Sequence, residues 1–90
     1  MARVELSPAL MKLTQGQGSI EVAGTTLSEV IGELEAQFPG IRAKLLTDSG
    51  QLQRYVSVFV GSEDARYLEG LETTISSSDQ ISILLALAGG

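Results

Sequence analysis

An α+β domain, in which a mixed sheet packs on one main helix, is predicted by three features of this 90-residue sequence. Segments at Arg3 to Leu6, Ser19 to Val22, Tyr55 to Val60 and Gln80 to Leu85 carry the period-2 apolar patterning of strands. Between the second and third lies one stretch, Leu27 to Phe38, whose apolar residues recur at helical spacing. The resulting order, ββαββ, implies a sheet with one face covered by the helix and the other face open.

In the first strand Val4 and Leu6 share one face, and Arg3 and Glu5 the other. Pro8 ends it, because proline cannot donate to a sheet ladder. Ser7 to Gly18 therefore reads as a connection, with Leu10, Met11 and Leu13 folding back on the core and Gly16 and Gly18 supplying the turn. Ser19 to Val22 closes an antiparallel hairpin with the first strand.

The helix is announced by Thr26-Leu27-Ser28-Glu29, which has the spacing of a capping box. Leu27, Val30, Ile31, Leu34 and Phe38 then place one apolar face inward, with Glu29, Glu33 and Glu35 toward solvent. Pro39-Gly40 stops it. Gly32 inside the helix costs up to about 1 kcal/mol relative to alanine and hints at close packing. A further helical turn over Ile41 to Leu46 puts Ile41 and Leu45 inward, and Thr47 to Gly50 forms a polar loop.

Val56, Val58 and Val60 share one face of the next strand, leaving Tyr55, Ser57 and Phe59 on the other. Gly61-Ser62 turns the chain, Arg66 to Leu68 reads as a short strand, and Ser76 to Asp79 is a turn cluster. The last strand sets Ile81, Ile83 and Leu85 on one face and Ser82 and Leu84 on the other. Phe59 and Leu84 thus fall on the open side. Either they form a partner patch or they are two of the scattered surface apolars that every protein carries.

Ninety residues suffice for one domain with a small core, and a hydrophobic fraction of 43% excludes a disordered chain. The sequence contains no cysteine and no histidine. Disulfides, thiolate nucleophiles and thiolate metal sites are therefore out, as are the commonest general base and zinc ligand. The acidic residues are scattered and form no paired constellation, so we assign no catalytic and no metal-binding residue. A net charge of −5 disfavours nucleic acid, and no segment suits a membrane or a signal peptide, so a cytoplasmic protein with protein partners is expected.

The sequence finishes on Ala86-Leu87-Ala88-Gly89-Gly90. Paired glycines lack Cβ atoms and can thread a narrow channel, and five extended residues reach about 16 to 18 Å. We expect a β-sheet domain over residues 1–85 and a flexible carrier tail over 86–90. The plain alternative for the tail is a frayed end.

The order of elements, the capped helix and the terminal Leu87-Ala88-Gly89-Gly90 together resemble a β-grasp, ubiquitin-like sulfur carrier of the ThiS/MoaD family. Leu52-Gln53-Arg54-Tyr55-Val56, Glu63-Asp64-Ala65-Arg66-Tyr67 and the ending Ile83 to Gly90 are most similar to the thiocarboxylated carrier type of actinobacterial cysteine biosynthesis. The middle of the chain is longer than in the short thiamine carrier type.

This resemblance implies that the chain is a protein co-substrate rather than an enzyme. A ubiquitin-activating-type adenylating enzyme would use ATP and magnesium to adenylate the Gly90 carboxylate, and a sulfur source would displace AMP to leave a thiocarboxylate. Ala86, Leu87, Ala88 and Gly89 would thread the tail into the partner. The sulfur would pass to an acceptor enzyme, for cysteine synthesis an aminoacrylate on the pyridoxal phosphate of a synthase, with release by a metalloprotease. No cofactor is expected on this chain itself. A role as molybdopterin-synthase small subunit, a supply to natural-product synthesis, and a ubiquitin-like modifier forming isopeptide bonds through Gly90 all stay open.

Overall fold

A computed structural model describes residues 1–85. Its elements are β1 (Ala2–Leu6), α1 (Pro8–Met11), β2 (Ser19–Val22), α2 (Leu27–Gln37), α3 (Ile41–Leu45), β3 (Val56–Val60), β4 (Glu63–Asp64) and β5 (Gln80–Leu85). Short 3-10 turns occupy Ala65–Tyr67 and Gly70–Glu72.

The strands form one sheet in the order β2-β1-β5-β3-β4. β1 pairs antiparallel with β2 and parallel with β5, while β3 pairs antiparallel with both β4 and β5. The sheet is mixed, as expected, because a parallel pair needs a long crossover and the helical middle of the chain provides one. The first and last strands consequently lie at its centre, and β5 is flanked by a neighbour on each side.

One core holds the sheet to the helices. Val4, Val22, Val56, Val58, Ile81 and Ile83 from the strands are buried in it together with Leu27, Val30, Ile31, Leu34 and Phe38 from α2 and its C-cap. Each fully buried aliphatic side chain contributes roughly 1.5–3 kcal/mol through removal from water. Helix α2 starts where the capping signal places it. The Thr26 hydroxyl accepts the Glu29 amide at 3.2 Å, but the Glu29 carboxylate reaches one residue beyond the N-cap, accepting the Thr25 amide at 2.8 Å and its hydroxyl at 2.9 Å.

Four local expectations are corrected. Ser7 to Gly18 is not wholly a connection, since Pro8 opens the helical turn α1, where a missing amide at the first position costs nothing. Its Leu10 is fully buried. Arg66 to Leu68 is not a strand. The Asp64 carboxylate accepts the Arg66 amide at 2.8 Å and winds Ala65–Tyr67 into a 3-10 turn, leaving Tyr67 88% exposed.

Gly32 does not mark close packing, because a Cβ built there meets nothing within 4 Å. Glu35 does not simply face solvent either. Its carboxylate accepts the Gly40 amide at 3.2 Å and the Arg42 amide at 2.9 Å, joining α2 to the start of α3.

Candidate functional site

The predicted tail residues Ala86, Leu87, Ala88, Gly89 and Gly90 lie outside the described residues, so the site is built from the ground they leave. That ground is Leu85, the last residue of β5. Its amide donates to the Ser7 hydroxyl at 3.0 Å, and the Ser7 amide in turn donates to the Ile83 carbonyl at 3.0 Å. On the other flank Leu85 is registered against Val56, the first residue of β3. The final residue of the strand is thereby held from both sides.

Val56 is itself secured. The Arg66 guanidinium donates to the Val56 carbonyl at 2.6 Å and to the Gln53 carbonyl at 3.2 Å, while the Gln53 side-chain amide donates to the Leu46 carbonyl at 3.1 Å. The two internal segments that carried the family resemblance, Leu52 to Val56 and Glu63 to Tyr67, are thus joined through Arg66. Charge-assisted bonds of this kind are about twice as strong as neutral ones. Sequence spacing could not reveal this clamp or the one at Ser7, since the partners lie 10 and 78 residues apart.

The register also settles how Phe59 and Leu84 relate. Phe59 faces Ser82 and Leu84 faces Ser57 on the neighbouring strand, so the two apolar residues are diagonal neighbours on the sheet face away from the core. Cross-strand diagonals of this kind lie about 7–8 Å apart, within reach of an aromatic ring. Leu84 is 45% exposed and Phe59 half-buried. Farther across the same face the surface is polar, with the Ser19 hydroxyl donating to the Glu5 carboxylate at 2.9 Å.

Under the opposite face of β5, a groove of about 470 Å³ opens beside the strand end, lined by Pro8, Ala9, Lys12, Leu13, Lys44 and Leu85. Nothing in the spacing of these residues announces it, because α1 and α3 come together only in the fold. Among the described residues no group of three or more His, Cys, Asp or Glu could hold a metal ion, and no helix is long and apolar enough to cross a membrane.

A five-stranded mixed sheet wrapped on one main helix, with its last strand in the middle of the sheet, is the ubiquitin-like β-grasp architecture. The chain belongs to the ThiS family, whose profile matches residues 6–90. It is 42% identical over 89 residues to the sulfur carrier protein CysO of Mycobacterium tuberculosis, spanning 97% of this chain and 96% of that one. The crystal structure of that organism's CysO is similar with a TM-score of 0.91 at 38% identity, across 97% of this chain and 100% of the other. A chain in the crystal structure of the Amycolatopsis orientalis BexX/CysO complex reaches a TM-score of 0.93 at 36% identity, with both chains fully covered. These relatives are small protein carriers rather than enzymes.

Proposed function

We propose that this chain is a sulfur carrier whose Gly90 carboxylate is converted to a thiocarboxylate. The observation that carries the proposal is the family match, which runs through Gly90 itself, together with a β5 clamped at Leu85 directly ahead of the last five residues. With neither cysteine nor histidine in the sequence, no side chain offers a thiol for sulfur or an imidazole base.

The chemistry proceeds in two balanced steps. The Gly90 carboxylate attacks the α-phosphorus of magnesium-bound ATP on an adenylating enzyme of the ubiquitin-activating type, pyrophosphate leaves, and an acyl-adenylate forms. Hydrosulfide then adds to the acyl carbon, AMP departs with the electron pair of the broken C–O bond, and loss of the S–H proton leaves the thiocarboxylate. Adenylation makes a poor acyl donor into a good one, and the thiocarboxylate sulfur is a stronger nucleophile than carboxylate oxygen.

In this reading Ala86 to Gly89 thread into the partner, and residues 1–85 serve as the domain that presents them. Phe59 and Leu84 supply an apolar contact beside the tail. The acceptor is a biosynthetic enzyme; the likeness to a sulfur carrier named CysO fits a role in making cysteine. The sequence resemblance to the actinobacterial carrier type implies a pyridoxal-phosphate synthase as acceptor, with a metalloprotease to release the product. ATP, magnesium and pyridoxal phosphate all belong to those partners.

The test is the intact mass of the chain after incubation with ATP, sulfide and the activating enzyme of the same genome. Immunoblots of cell extracts separate the other use of Gly90. Ladders of conjugates that vanish on Gly90 deletion would assign it to isopeptide bonds instead.

A further inference from the structure

Two of the six cationic residues of this net-negative chain, Lys12 and Lys44, line the same groove, the one that ends at Leu85. They come from different elements. Lys12 caps α1, and Lys44 stands in the last turn of α3. Both are exposed, and no carboxylate of the described residues lies within 4.0 Å of either. Between them the wall is apolar, formed by Pro8, Ala9, Leu13 and Leu85.

We propose that this groove is a second docking surface, which receives an acidic, apolar-tipped segment at the mouth of the channel that admits the tail on the activating enzyme. The inference rests on the carrier reading and adds a partner-facing site to it. Three features select that occupant. The groove is continuous with the tail, since Leu85 is both the end of β5 and part of the groove wall. Any protein that swallows residues 86–90 must therefore bring its rim against this spot.

The charge is of one sign. Two lysines with no carboxylate of the described residues within 4.0 Å, on a chain of net charge −5, make a local positive site that attracts carboxylates and rejects a basic rim. Their aliphatic stems also extend the apolar trough while the ammonium groups stay in water, a pairing that suits an apolar side chain flanked by acids. Finally, Leu84 and Leu85 point to opposite faces of the sheet, as successive strand residues must. The groove and the Phe59/Leu84 patch therefore offer a partner the two faces of the sheet at the end of β5.

The experiment uses the full chain and the activating enzyme of the same genome, with ATP and sulfide, following thiocarboxylate by intact mass at varied carrier concentration. Lys12→Glu/Lys44→Glu is expected to raise KM about tenfold and change kcat little, as loss of a steering contact does. Lys12→Arg/Lys44→Arg should restore KM. KM of the unaltered chain should climb with salt, and that of the double Glu variant should respond less.

An unchanged KM and salt response in a folded double Glu variant would overturn the docking site while leaving the carrier function standing. If the unaltered chain acquires no sulfur, both fall together. Amide shifts at Lys12 and Lys44 on deleting Gly89 and Gly90 from the free protein would assign the groove to the chain's own end. Shifts that grow with concentration would assign it to a second copy, and either result overturns the proposal.

Discussion

The Leu85 amide donates to the Ser7 hydroxyl at 3.0 Å, so the last residue of β5 is tied to the residue that follows β1. The bond lies at the last of the described residues, five before Gly90 in the sequence. β5 pairs in parallel with β1 only as far as Ile83 opposite Leu6, and the Ser7 side chain extends that pairing by one further contact.

Ser7→Ala should therefore loosen the end of β5 without unfolding the domain. The loss of one partly buried hydrogen bond is worth about 0.5–1.5 kcal/mol. Hydrogen exchange should show the Leu85 amide protected in the unaltered protein and fast in the variant, with amides of Val4 and Ile81 little changed. Equal acceleration at all three would mean that Ser7 supports the whole sheet rather than its end.

Gly32→Ala should stabilise the protein by about 0.5–1 kcal/mol, because the helical backbone accepts alanine and the space beside it is open. Gly24→Ala should do the reverse. Gly24 has φ +146°, and a Cβ there would stand 3.0 Å from the Val30 amide nitrogen, so a loss of about 1–3 kcal/mol is expected. Urea denaturation of the two variants checks both signs at once.

Glu29 makes a pH prediction. The Thr25 amide, and then the Thr25 hydroxyl, bond its carboxylate and hold its pKa below the ordinary value of 4.5. The charged form is the one favoured in the folded state, so its contribution to stability is complete above the unfolded pKa and is lost as pH falls through the lower folded value. Glu29→Gln should lessen the decline of stability between neutral pH and the acid side of 4.5. A Gln variant whose acid limb matches that of the unaltered protein would remove Glu29 from the account.

Leu84→Ser should leave stability within about 0.5 kcal/mol, as expected for a surface position, and weaken binding to the activating enzyme. Phe59→Ala should weaken binding too, and because the ring is half-buried it should also cost stability. Calorimetric titration alongside thermal melts separates the two effects. Unaltered affinity in both variants would make these residues ordinary surface apolars.

Much of the fold could be read before the structure because its signals are local. The capping residues Thr26 and Glu29, the helical spacing from Leu27 to Phe38 and the alternation in β3 and β5 each act over a few residues. Local signals also misled where two of them compete. Pro8 stops a strand but equally opens a helical turn, and the Asp64 side chain caps the turn that stands in place of the expected strand.

The surroundings of the candidate site were hardest to foresee. Ser7 meets Leu85, Arg66 meets Val56 and Lys12 comes to the same groove as Lys44 only after the sheet order is set. Such meetings of distant residues leave no period in the sequence. Phe59 and Leu84 could be placed on one face by alternation alone, but their adjacency needed the register of β3 against β5.

The most direct test of the account is the intact mass of the protein after reaction with ATP, sulfide and its activating enzyme, run beside a chain lacking Gly90. The account predicts exchange of one oxygen for one sulfur, confined by fragmentation to Gly90, dependent on ATP and absent from the truncated chain. A full-length chain that keeps its mass while the enzyme consumes ATP, or sulfur found anywhere other than Gly90, would contradict it.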